Sequence, residues 1–435
     1  FHAAKDLRIE EIPAPSAPAA GQVVIKNHFV GICGTDLHEY ANGPIFIPTE
    51  PHPYTGAQGP QILGHEFGGI VTAVGEGVTN VKVGDRVAVQ PLIAPRTGEH
   101  FGERGWLNLS PVLGLVGLSW GWGGMADAAL LNDYNVCKIP DTMSDEEAAL
   151  VEPTAVTVYA CDRAGVKAGD SVLITGAGPI GILALLTAKA FGATKLLVSD
   201  MNETRLKLAR EILPEVITIN PVKDDLVQIV QANTQANLGC DIAIECVGND
   251  RALQSCLDAV RKQGTIVATG VHPGVGKLNF FDVTFKDVTL KGSWCYPAYS
   301  WPRVIDLIAS GAIPARKVVT KKIRGMMTDT QRVRRTDPGD PDRCPVWQFH
   351  LVYSPVATRD WVKTECSRAG IGCLECKQPV IDAILAEQQP MLERAEPFVS
   401  NPRLVRDIVD AGTQRARATA QETMRDVREA MGLNY

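Results

Sequence analysis

Two groups of residues in this 435-residue chain have the types and spacing to do chemistry. The first is Ser171-Val-Leu-Ile-Thr-Gly176-Ala-Gly178-Pro179-Ile180-Gly181, a G-x-G-x-x-G that directly follows an apolar run and opens a helical one. Glycine is needed first for a tight turn, next so that backbone can approach a pyrophosphate, and last for close helix–strand packing. Free N–H groups and the dipole at the helix start complete an anion site. The next apolar run ends in Asp200, 19 residues after Gly181. A carboxylate there can accept hydrogen bonds from an adenosine ribose and would repel a 2′-phosphate, which favours NAD over NADP. Arg205, five residues on, is the nearby group that would pull the other way. A glycine turn with only a packing role is the competing reading.

The second group is dispersed. Gly31-Ile-Cys33-Gly-Thr35-Asp36-Leu-His38, Leu63-Gly-His65-Glu66-Phe-Gly-Gly69 and Val151-Glu152-Pro-Thr-Ala carry thiol, imidazole and carboxylate, the donors that zinc takes. Singly, each has a plain explanation: a buried Cys is usually a small hydrophobe, and a lone His a hydrogen-bonded structural residue.

The elements that must position these groups change along the chain. Up to about residue 150 short β-type runs are separated by Gly and Pro, as in Gly21–Val30, Gly68–Val74 and Asp85–Val89. From 171 to 270 strand-like runs (Ser171–Thr175, Lys195–Ser199, Val216–Ile219, Asp241–Cys246, Thr265–Thr269) alternate with helix-like ones (Pro179–Phe191, Glu203–Leu213, Asp224–Ala232, Asp250–Val260). That rhythm predicts a parallel, doubly wound sheet. After about 355 only helical patterns remain, among them Val380–Arg394 and Pro402–Met431. Composition shifts too: residues 1–323 hold 16 Lys and 11 Arg, residues 324–435 hold 2 Lys and 14 Arg, and 34 of the 40 glycines precede residue 324. Such a seam suggests a domain boundary or two sequences of different origin.

Hydrophobic content of 45% and charged content of 21% exclude disorder as the main state. A net charge of −6 implies neither nucleic acid nor an anionic membrane as partner, and no apolar run is long enough to span one. Eleven cysteines, unevenly spread, with no signal-like opening at Phe1, predict a cytoplasmic, reducing location.

Together, the metal-type pieces and the glycine motif resemble the zinc-dependent medium-chain alcohol dehydrogenases. Gly43-Pro-Ile-Phe-Ile-Pro48, the Pro-His-Pro around His52 and Leu63–Gly69 resemble the 2,3-butanediol dehydrogenase branch, with sorbitol dehydrogenases as near relatives. The resemblance covers about residues 1–323. It implies a GroES-like catalytic domain (1–150), a Rossmann coenzyme domain (151–295), and the start of a return to the catalytic domain (296–323). It makes Cys33, His65 and Glu152 the ligands of one catalytic Zn²⁺, with Glu66 as an alternative or exchanging ligand and Asp36 holding His65. Thr35 would take the hydroxyl proton and His38 would pass it on. The implied reaction is oxidation of a small secondary alcohol or vicinal diol by NAD, in a homo-oligomer, dimer or tetramer. Val89–Gly124 contains no cysteine, so the structural zinc of many relatives is not expected. The family's further helix and final strand after Lys317–Ile323, itself expected as a strand, are missing.

From Arg324 the chain resembles the C-terminal part of bacterial tryptophanyl-tRNA synthetases, on Arg324–Gly339, Cys344-Pro-Val and Ala369–Lys377. The resemblance implies a mostly α-helical segment over 324–435. Neither ATP-binding signature of a synthetase is present, so aminoacylation is not expected. Cys344-x21-Cys366-x6-Cys373-x2-Cys376 is close to the spacing by which some of these synthetases hold a [4Fe–4S] cluster. Four thiolates can equally hold zinc, or stay unmetallated. The Arg-rich stretch Asp407–Glu429 reads as a solvated face rather than a tRNA contact. The alternative to an active enzyme is a hybrid chain in which neither part is complete.

Overall fold

The computed structural model describes residues 1–272, 274–318, 338–341, 344, 346–347, 350, 354–373 and 375–382. The chain divides into two compact units, Phe1–Met327 and Thr328–Tyr435, within a few residues of the compositional seam. Among the described residues no helix is long and apolar enough to cross a membrane.

The first half of unit one is built on β1 (Gln22–Gly31), α1 (Gly34–Asn42), β2 (Glu66–Val74), β3 (Arg86–Val89), β4 (Leu92–Ile93), β5 (Gly114–Leu115), β6 (Ala128–Asn132) and β7 (Val136–Lys138). Five of these form an antiparallel sheet in the order β6-β1-β2-β3-β7. Alternate residues of β1 face one core: Val23 and Ile25 pack with Phe67, Val71, Val87 and Leu131. That alternation is why the pattern was readable as a half-buried strand. Glu39 on α1 is fully buried, and its carboxylate accepts from the amides of Ile45, Phe46 and Ile47, fixing the loop that leads to the site.

The 20-residue α2 (Asp145–Ala164) runs through the boundary expected at 150/151. Ser144 and Glu147 close a capping box at its start, which satisfies its first free amides. Beyond it come β8 (Ser171–Thr175), α3 (Pro179–Ala190), β9 (Lys195–Ser199), α4 (Glu203–Ile212), β10 (Ile217–Ile219), α5 (Leu226–Ala232), β11 (Cys240–Glu245), α6 (Asp250–Ala259), β12 (Val260–Ala268), α7 (Phe280–Phe285), β13 (Thr289–Gly292) and α8 (Trp301–Ala309). The strands pair in parallel in the order β10-β9-β8-β11-β12-β13, the doubly wound arrangement of a dinucleotide-binding sheet. Val172, Leu173 and Ile174 are all fully buried, as strands covered on both faces require.

Two expectations need correction. The last expected strand, Thr265–Thr269, begins five residues earlier at Val260; Gln263, at φ 58°, breaks the period-two pattern within it. Lys317 and Val318 do not start a strand. They lie in a helical turn, their amides bonded to the Pro314 and Ala315 carbonyls at 3.0 and 2.9 Å, and Val318 is buried in the same core as Ile305 and Ile308. Residues 319–323 are outside the described set.

In unit two, the helix Val356–Ser367 buries Val362 and Cys366, and the Cys366 carbonyl accepts from the Gly339 amide at 2.9 Å. Residues 375–382 are helical. The rest of the expected helix Val380–Arg394, and all of Pro402–Met431, lie outside the described residues.

Candidate active site

The β1–β2 register builds a metal-type cluster. Gly31 pairs with Glu66, so the chain leaving β1 carries Cys33 alongside His65 and Glu66 at the start of β2. One donor atom each from Cys33, His65 and Glu66 lie within 4.8 Å of one another. Among the described residues this is the one group of three or more such side chains so close together. A Cβ at Gly31 would collide with the Glu66 carboxylate, so glycine there leaves the room that the cluster occupies.

Asp36 links the cluster to α1. Its Oδ2 accepts from the Cys33 amide at 2.9 Å, and its Oδ1 stands 3.5 Å from His65 Nδ1. Both Asp36 Oδ1 and His65 Nδ1 are buried without a hydrogen bond, a pair held at the outer limit of contact. Burial opposes charge on His65, but Asp36 and Cys33 outweigh it and raise its pKa well above the ordinary value. Surroundings that hold a proton this firmly suit a cation. A half-buried cysteine sulfur converging with a buried imidazole and a buried carboxylate forms a donor set that fits Zn²⁺.

Glu152, expected as the third ligand, has a hydrogen-bond donor of its own, while Glu66, expected as the alternative ligand, lies with Cys33 and His65. It is Glu66 that joins Cys33 and His65, while Glu152, on α2, accepts a 2.7 Å hydrogen bond from the hydroxyl of the fully buried Tyr296. Burial pushes the Glu152 pKa up to about 7; His65 pulls it down and Glu66 pushes it up, so both lie within electrostatic reach. Glu66 directly follows His65 and opens β2, whereas Glu152 comes from a helix and has its own donor. On α1, Thr35 is half-buried and His38 is exposed.

The glycine motif forms the turn between β8 and α3. Gly176 has φ 93°, and a Cβ on Gly181 would strike the Gly176 carbonyl, so the close packing at this turn needs glycine. Gly178 caps α3 with open space beside its Cα, Pro179 occupies the first turn, and Ile180 is half-buried behind it. An anion could approach the amides there. Asp200, at the end of β9, accepts from Ala177 N and Asn202 N at 2.8 Å each. These bonds fix the carboxylate beside the turn, and Arg205 Nη1 is 3.5 Å from it.

Several residues at this edge carried no sequence signal. Glu245 closes β11 fully buried, its Oε1 accepting from Val247 N (2.6 Å) and Gly248 N (2.7 Å). A cleft of about 600 Å³ is lined by Thr269, His272 and Ser293 together with Trp106, Tyr159 and Trp294. The polar members of this wall are scattered over two loops, so no spacing in the sequence joins them. An acidic residue ending the apolar run Asp241-Ile-Ala-Ile-Glu245 was the one available cue.

In unit two, burial first, and then Cys344, Cys366 and Cys373, push the Cys376 pKa up to about 12. His350 Nε2 sits 3.4 Å from Cys376 Sγ and 3.0 Å from its carbonyl oxygen.

Known proteins match the first unit. Residues 19–141 match the alcohol dehydrogenase GroES-like domain, and residues 179–310 match the zinc-binding dehydrogenase domain. The chain is 39% identical over 325 residues to (R,R)-butanediol dehydrogenase of Bacillus subtilis (strain 168), covering 74% of this chain and 91% of that protein. It is 35% identical to the sorbitol dehydrogenase of Homo sapiens, covering 74% and 87%. The crystal structure of 2R,3R-butanediol dehydrogenase from Bacillus subtilis superposes with a TM-score of 0.67 at 37% identity, covering 73% of this chain and 89% of that one.

Proposed function

We propose, from the premise that this chain belongs to the zinc-dependent medium-chain alcohol dehydrogenase family, that it oxidises a small secondary alcohol or vicinal diol with NAD, 2,3-butanediol to acetoin being the reaction to test first. The observation that carries this reading is the convergence of Cys33, His65 and Glu66 within 4.8 Å. When bound, zinc would supply a Lewis acid that eases loss of the alcohol proton, and NAD would supply the hydride acceptor.

The chain's own residues have distinct tasks. Cys33, His65 and Glu66 would hold the metal, and Asp36, 3.5 Å from His65 Nδ1, would orient the ring. Glu152, tied to Tyr296, stands beside the trio as a further carboxylate rather than as a member of it. Thr35 takes the hydroxyl proton, and the exposed His38 hands it to solvent, a step that an imidazole with its two ring nitrogens can perform. The backbone amides of Gly178, Ile180 and Gly181 would hold the pyrophosphate, and Asp200 would take the ribose hydroxyls, favouring NAD. Arg205 beside Asp200 leaves less room for a 2′-phosphate partner role, since it is already drawn to the carboxylate.

We assign residues 1–150 to the catalytic domain, 151–295 to coenzyme binding, 296–323 to the return segment and 324–435 to the tail, with a homo-oligomer as the working assembly. The test is steady-state NADH formation from 2,3-butanediol, sorbitol and ethanol. A higher kcat/KM for the vicinal diols than for ethanol supports the reading. Activity on ethanol alone contradicts the substrate class.

A second reading concerns the tail, which resembles a tryptophanyl-tRNA synthetase C-terminal part. The spacing Cys344-x21-Cys366-x6-Cys373-x2-Cys376 supports a metal site there. A tetrahedral zinc–thiolate site has sulfurs about 3.8 Å apart, by its Zn–S length of about 2.3 Å. A [4Fe–4S] cluster on the same four thiolates is the other arrangement. Iron and acid-labile sulfide measured on protein purified without oxygen would support this; their absence with zinc in excess of one per chain would favour the tetrahedral site.

A further inference from the structure

Hydrogen bonds in unit two tie together the segments that carry the tail cysteines. The Gly339 amide donates to the Cys366 carbonyl at 2.9 Å, at the C-terminal end of the helix Val356–Ser367. Further along the same stretch, His350 Nε2 reaches the Cys376 carbonyl oxygen at 3.0 Å and Cys376 Sγ at 3.4 Å. Cys344 lies between these two ties. The Cys376 amide bonds to the Gly372 carbonyl at 2.9 Å, a helical turn that puts Cys373 and Cys376 on one face. The stretch that carries Cys344 is thus bonded at one end to Cys366 and at the other to Cys376. A backbone arranged in this way fits a metal held by the four sulfurs.

The hydrogen bonds of His350 fix where its proton sits. The ring is fully buried, and the Cys376 carbonyl can only accept, so Nε2 carries the proton and donates. Nδ1 then accepts from the hydroxyl of the buried Ser354, at 2.8 Å. With the ring held from behind, Nε2–H is shared between the carbonyl and the sulfur of Cys376. A neutral thiol is a weak acceptor. The thiolate is the form that binds metal, and its charge strengthens any bond donated to it.

We infer that His350 is a positioning residue for a thiolate-bound metal in the tail: Nε2–H donates to the Cys376 sulfur, steadying and aiming the thiolate, while Ser354 fixes the ring. The inference rests on the reading of the four cysteines as a metal site given above. It holds for an iron–sulfur cluster and for zinc alike, because both are bound through thiolate.

The test uses the full chain purified without oxygen, stripped of metal and reloaded with ferrous iron plus sulfide in one arm and zinc alone in the other. Metal held in excess of a Cys373→Ser chain belongs to the tail. His350→Phe should bind that metal about 10- to 100-fold more weakly, the range for losing a group that orients a ligand. His350→Gln, whose amide can donate, should recover part of the affinity, and Ser354→Ala should lose less than His350→Phe. Alkylation of the metal-saturated chain, read cysteine by cysteine, separates this role from a merely structural one. His350→Phe should speed modification of Cys376 ahead of Cys344, Cys366 and Cys373. Unchanged tail-metal affinity in His350→Phe, or equal acceleration at all four cysteines, overturns the role of His350. An unaltered chain that holds no more of either metal than Cys373→Ser overturns the tail reading, and the inference with it.

Discussion

The hydroxyl of Tyr296 donates to Glu152 Oε1 at 2.7 Å, both groups being buried. This bond engages a carboxylate that the family resemblance implies as a metal ligand. Glu66 completes the trio with Cys33 and His65; Glu152 borders it. Replacing Glu66→Ala should therefore abolish retention of zinc, while Glu152→Ala should keep about one zinc per chain and lose activity in part. Metal analysis of the two purified variants decides between these roles, and equal zinc loss in both would contradict the separation.

Removing the phenol tests the same bond from the other side. Tyr296→Phe leaves Glu152 buried without its donor, which should cost about 1–3 kcal/mol of stability. The loss should be visible as a lower midpoint of chemical unfolding. An unchanged midpoint would mean that Glu152 finds another donor.

Without metal, the cluster should make the protein less stable as pH rises. The Glu152 pKa stands near 7 in the folded chain against an ordinary 4.5, so between those values the folded state holds a proton that the unfolded state has lost. Its contribution is most favourable below pH 4.5 and declines as pH rises through 7. His65, raised above its ordinary 6.5, likewise adds stability below that value and loses it as pH climbs through its folded pKa. Zinc must displace these protons, so its affinity should rise over the same window. Unfolding of chelated protein followed from pH 5 to 8 checks the sign; stability that increased with pH would contradict it.

Asp200 is fixed by the Ala177 and Asn202 amides, with its carboxylate beside the glycine turn. Asp200→Ala should raise KM for NAD by about 10- to 100-fold, the loss of charge-assisted bonds to a ribose, with kcat less affected. With Arg205 released from its neighbour, NADP should become a comparably good coenzyme. Steady-state kinetics with both coenzymes reads the ratio.

The sheets were legible because their residues obey one period each. Val172, Leu173 and Ile174 form a continuous apolar run that only a doubly covered strand explains, and Val23 and Ile25 alternate as a half-covered one does. The glycine motif was legible because Gly176 and Gly181 answer purely local needs. What stayed hidden depends on the third dimension. Tyr296 and Glu152 are 144 residues apart, and the approach of Glu66 to Cys33 turns on the β1–β2 register. Glu39 reads as an ordinary helix-surface residue until the loop Ile45–Ile47 folds back onto its carboxylate. Lys317 and Val318 carry a strand-like composition, but Pro314 and the core beside α8 draw them into a turn.

The most direct test of the account is NADH formation from 2,3-butanediol before chelation, after chelation and after return of zinc. The account predicts turnover that chelation removes and zinc restores, with Cys33→Ser inactive throughout. Turnover that survives complete removal of zinc, or a zinc-loaded, folded chain with no turnover on any vicinal diol, would contradict it.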